Sequence, residues 1–120
     1  MDIYILIYRI IFGILFTYAG IMHIIKPKIF KNFTPPFLPL KATNYLAGIV
    51  ELTLGLSLFF STTIKYAAIG IFILMIIFLP IHIWDATKIR PAIGSKRIAY
   101  IRIPLQFLLI YGAYLIYINS

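Results

Sequence analysis

Apolar residues run through this chain in four long blocks, at 3–25, 42–60, 64–84 and 98–118, separated by segments that are short, basic or rich in proline. A helix needs about 20 mainly apolar residues to cross the hydrocarbon of a bilayer, so each block suffices for one crossing. The pattern predicts an all-α fold, a transmembrane four-helix bundle with short loops. It leaves no stretch for a soluble domain, so residues 1–120 are expected to form a single membrane domain. The first block carries Arg9, ends in His23 and lacks a small-residue cleavage site, which predicts a retained span and not a signal peptide.

Within the first two blocks the small and polar residues are spaced for helices. Arg9, Gly13, Phe16, Gly20 and His23 alternate at steps of four and three residues, as do Asn44, Gly48, Glu51 and Gly55, so each set forms one stripe. Small residues let membrane helices approach closely, so these stripes are expected to pack the first helix on the second. Glu51 is the one acidic residue inside the apolar blocks. A carboxylate at such depth costs roughly 2.5–3.5 kcal/mol on insertion scales and needs a partner or a purpose. Arg9, on the facing stripe, is the expected partner: a buried ion pair, Arg9 with Glu51, that fixes helix register. The other reading of Glu51 is a carboxylate that titrates or binds a ligand.

The connections carry their own signals. Lys26, Lys28 and Lys31 alternate with Ile29, Phe30 and Phe33, which suits an interfacial segment with rings down and ammonium groups up. Pro35, Pro36 and Pro39 predict an extended elbow that feeds the second helix. Ser61, Thr62 and Thr63 offer N-cap oxygens for the third helix and Ser95 for the fourth. Pro80 lies inside the third block, where a kink is expected, while Pro104 falls in the first turns of the fourth.

Composition sets the solvent. Of 120 residues, 62% are hydrophobic and 12% charged, against about 25% charged in soluble domains, which makes this an integral membrane protein. The net charge of +8 sits mainly in the first and third loops, at Lys26, Lys28, Lys31, Lys41, Lys88, Arg90, Lys96 and Arg97. By the positive-inside rule these loops are expected in the cytoplasm with both termini outside. The lysines and arginines are spread along juxtamembrane loops, which points to lipid headgroups as partners and to no nucleic acid. Without cysteine there is no disulfide, thiolate nucleophile or Cys-held iron–sulfur cluster.

A second constellation gathers at the cytoplasmic ends of the predicted helices. His23 closes the first, Asn44 opens the second, His82, Trp84 and Asp85 close the third, and Arg102 and Gln106 open the fourth one turn apart. These seven are the candidate ligand-binding residues. Each imidazole also has a plain reading as an interfacial histidine bonded to loop backbone. No metal is expected, because the two histidines lack the helical spacing of metal sites in bundles.

Taken together, Ala19-Gly20-Ile21-Met22-His23, Pro35-Pro36-Phe37-Leu38-Pro39, Ala47-Gly48-Ile49-Val50-Glu51 and Arg102-Ile103-Pro104-Leu105-Gln106 resemble the DoxX-like family of small four-span membrane proteins over nearly the whole chain. Arg9 and Glu51 suit that family's pattern as well. His82 stands where Asn is expected in many members. The resemblance implies a four-span fold, a bacterial inner (cytoplasmic) membrane address and roles linked to quinone oxidoreductase complexes or to assembly of membrane partners. It makes a quinone the one cofactor to consider. The leading expectation is a partner subunit or assembly factor in a membrane complex, or a homo-oligomer, with no catalysis of its own. The alternatives are a quinone-binding oxidoreductase subunit, using His23, His82, Arg102 and Gln106, and a small proton-coupled transporter.

Overall fold

A computed structural model describes residues 3–88 and 95–120. Arg90, one of the basic loop residues, lies outside them. The described residues form four α-helices and no strand: α1 Ile3–Ile25, α2 Leu40–Ser57, α3 Ile64–Ala86 and α4 Lys96–Ile118, with a 3₁₀ turn at Pro27–Phe30 after α1. Three of them, α1, α3 and α4, are long and apolar enough to cross a membrane. Lys41, Asn44 and Glu51 keep α2 out of that class.

The helix ends show how local chemistry moved the predicted boundaries. α2 starts and stops two to three residues earlier than the apolar block. Pro39, extended at φ −64° and ψ 125°, is its N-cap, and the helix starts at once after it. Thr63 occupies the N-cap position of α3 but makes no capping bond there. Its hydroxyl instead donates to the Ser57 carbonyl at 2.7 Å, satisfying an orphan acceptor at the end of α2. Ser95 does cap α4, accepting from the Ile98 amide at 3.2 Å. Ser95→Ala is therefore expected to cost about 1 kcal/mol, read as a small fall in melting temperature in detergent. α3 remains helical through Pro80.

The helices pack in chain order, α1 on α2, α2 on α3, α3 on α4 and α4 back on α1, with the first and third of these contacts the most extensive. The glycine stripes form the α1–α2 seam as predicted. A Cβ at Gly20 would lie 2.5 Å from the Leu52 nitrogen, one at Gly48 2.8 Å from the Gly20 carbonyl, and one at Gly55 2.6 Å from the Thr17 nitrogen. Gly13 lies against Phe59. Only hydrogen fits where two backbones come this close.

This antiparallel register corrects the expected ion pair. Glu51 lies beside the last turns of α1, with its Oε1 3.6 Å from His23 Nε2. Arg9 is fourteen residues before His23, roughly 21 Å away along the helix at 1.5 Å per residue. It therefore sits level with the turn after α2, beyond Phe59, and even a long side chain does not bridge that gap. Periodicity puts Arg9 and Glu51 on facing stripes but does not fix which glycines oppose each other.

The apolar core is gathered at one end. Phe12 and Phe16 of α1, Leu58, Ile64, Ala67, Ala68, Ile71 and Met75, and Ala113 and Ile116 of α4 fill the half of the bundle toward the α2–α3 turn. The other half, where α1 ends and α4 begins, is capped by the first loop and is hollow.

Candidate functional site

The hollow is a half-open pocket of about 280 Å³, with walls from all four helices and the first loop. The sequence explains why the loop covers it. Lys26, Lys28 and Lys31 stay exposed, as the alternation predicted, while Pro27 is buried and Phe30 and Phe33 turn into the pocket; Ile29, grouped with them by the alternation, is exposed. Phe30 stacks on His23 with ring centroids 3.7 Å apart, and Phe33 meets His82 edge-on at 6.0 Å. Lys88 then ties the loop to the end of α3: its Nζ donates to the Asn32 carbonyl at 2.5 Å and ion-pairs with Asp85 at 3.2 Å.

Behind the aromatic cover lies a chain of polar contacts. Asn44, buried in the first turns of α2, donates from Nδ2 to the Leu40 carbonyl at 2.7 Å and to Thr34 Oγ1 at 3.1 Å. Thr34 spends its own hydrogen on the Phe30 carbonyl at 3.0 Å. The Asn44 Oδ1 is left to meet His23 Nδ1 at 2.9 Å, and His23 Nε2 faces Glu51. Glu51 is only 3% exposed, and its second oxygen, Oε2, has no hydrogen-bond partner. Arg102 of α4 also lines the pocket, and its Nη1 is buried without a partner. Buried polar atoms are rarely left this way, so both mark places where the site is incomplete.

Of the seven predicted ligand-binding residues, His23, Asn44, His82 and Arg102 come together here and Trp84, Asp85 and Gln106 do not. Trp84 lines a separate pocket beside the proline elbow, under the Lys88 ammonium, which lies 3.8 Å from its ring centroid. Asp85 is buried at the foot of Lys88. Gln106 is fully buried against α3, where Nε2 donates to the Met75 carbonyl at 2.7 Å. It lies one turn deeper than Arg102, where the backbone of α3 is the nearest acceptor. Glu51, set apart from these seven in the sequence as half of an ion pair, lines the same pocket. The walls Phe16, Phe30, Phe33 and Phe78 and the elbow residues Thr34 and Pro35 were also absent from the predicted set. The alternation of Phe with Lys in the first loop was the available signal for two of them.

An all-α bundle with three membrane-length helices, polar side chains turned inward and aliphatic ones outward, defines a small helical membrane protein. The chain belongs to the family described as a domain of unknown function, DUF8561, whose model matches residues 12–117. Among curated proteins and solved structures, none matches it.

Proposed function

We propose that the chain is a four-span membrane protein that binds an amphipathic aromatic molecule of the quinone class in this pocket, and so serves a membrane complex as a binding subunit without catalysis of its own. The observation that carries the reading is the pocket's make-up. Aromatic and aliphatic walls suit a ring, while His23, His82, the Arg102 guanidinium and the Glu51 carboxyl supply a few polar contacts, the usual composition of a small-molecule site. Leu15 and Leu38 line it and are also exposed, which gives an apolar tail a way out to lipid. The DoxX-like resemblance, with its quinone-linked members, supports the same choice.

Counting α2 as the fourth span rests on its length and its two faces. Its 18 residues rise about 27 Å, close to the hydrocarbon thickness. Its polar stripe faces α1, and Leu46 and Ile49 on the opposite face are 66% and 56% exposed, as lipid-facing residues are. The long dimension of 44 Å matches a bilayer with its headgroups. Lys26, Lys28, Lys31, Lys88 and Lys96 share the pocket end, which the positive-inside rule assigns to the cytoplasm of a bacterial inner membrane.

The test is a thermal shift in detergent. Short-chain ubiquinone or menaquinone analogues at about 100 times their Kd should stabilise the wild type by about 2.7 kcal/mol and leave His82→Ala unmoved. If no quinone shifts the wild type, the ligand reading is lost and a purely structural partner subunit remains.

A further inference from the structure

Resting on that reading, we infer that the pocket selects the reduced, diol form of its ring ligand over the dione, because the unpartnered oxygen of the pocket-lining Glu51 can only accept a hydrogen bond. The inference follows from tracing hydrogens. The Leu40 carbonyl can only accept, and Thr34 has already given its hydrogen to Phe30, so both contacts of Asn44 to them must come from its amide nitrogen. Its oxygen therefore faces His23, and His23 Nδ1 carries a proton. On the far side of the ring, Nε2 lies 3.6 Å from Glu51 Oε1, beyond a good hydrogen bond but at ion-pair distance. Two bare lone pairs would repel at that separation in a low dielectric, so one proton lies between them, held by the imidazole or by Oε1. In either placement Oε2 is left as an acceptor.

That oxygen is buried, lacks a partner and belongs to a pocket-lining residue, and the unpartnered donor Arg102 Nη1 belongs to another. A ring diol satisfies both, one hydroxyl donating to Oε2 and the oxygen of the other accepting from Nη1. A dione satisfies Nη1 alone and turns a carbonyl lone pair on Oε2. The remaining titratable group of the pocket, His82 on α3, is an imidazole that can accept or donate according to its tautomer and so serves both forms. The loop residues facing the site, Phe30, Phe33, Thr34, Pro35 and Leu38, carry no charge.

Anaerobic titration calorimetry of the purified protein with 1,4-naphthalenediol and with 1,4-naphthoquinone tests this. The wild type is expected to bind the diol about tenfold or more tightly, the effect of leaving one buried acceptor unmet. In Glu51→Gln the amide can offer either a donor or an acceptor, and the ratio should fall to near one. The dimethyl ether of the diol, which only accepts, should bind as weakly as the dione; this comparison and the wild-type ratio decide the matter if the variant does not fold. Equal affinities in the wild type, or a ratio unchanged in Glu51→Gln, would overturn the selectivity and leave quinone-class binding standing. If neither ring binds, both readings are lost.

Discussion

Leucine at Gly20 is expected to unseat α1 from α2 and cost about 3 kcal/mol, lowering the melting temperature in detergent on the order of 10 °C. The reason is what the new side chain would meet. A Cβ there lies 2.5 Å from the Leu52 nitrogen and 2.7 Å from the Gly48 carbonyl, and backbone atoms cannot rotate aside, so the helices must part. Gly70→Ala provides the contrast. Its Cβ would also approach to 2.5 Å, but of Leu54 Cδ2, the tip of a side chain that can change rotamer. That variant should lose no more than about 1 kcal/mol. Equal losses at the two positions would show that the seam is not the rigid part of the bundle.

A double-mutant cycle on His23 and Glu51 should give a coupling energy of roughly 1–3 kcal/mol, while a cycle on Arg9 and Glu51 should be additive within about 0.5 kcal/mol. His23→Ala alone strands a buried carboxyl and should cost several kcal/mol; the added Glu51→Gln change, which removes the charge, should recover part of it. Unfolding in detergent followed by circular dichroism measures all four corners of each cycle. A coupling with Arg9 that exceeds the coupling with His23 would contradict the observed register.

These two experiments also mark where the sequence was readable and where it was not. The glycine stripes were legible because a helix repeats every three to four residues, so spacing alone placed Gly13, Gly20, Gly48 and Gly55 on a seam. Spacing does not say which glycine opposes which, and a shift of about four turns separates a pairing with Arg9 from one with His23. The cap at Ser95 was legible from residue type, whereas Thr63 had two sets of orphan groups within reach and served the carbonyls of α2. Half of the site was legible for a related reason. His23, Asn44, His82 and Arg102 fall toward helix ends at one end of the bundle, which the order of blocks determines. The depth of Gln106, the outward turn of Trp84 and the partners that Phe30 and Phe33 meet over the mouth depend on tertiary contacts that no periodicity encodes.

The placement of the core at one end has a consequence for how this family can change. Phe12, Leu58, Ile71 and Ile116 hold the helices together near the α2–α3 turn, and of these ten core residues only Phe16 and Met75 also touch the pocket. Core and cavity are thus built from nearly separate sets of positions. Away from the coupled His23 and Glu51, substitutions around the cavity can reshape it without touching that core.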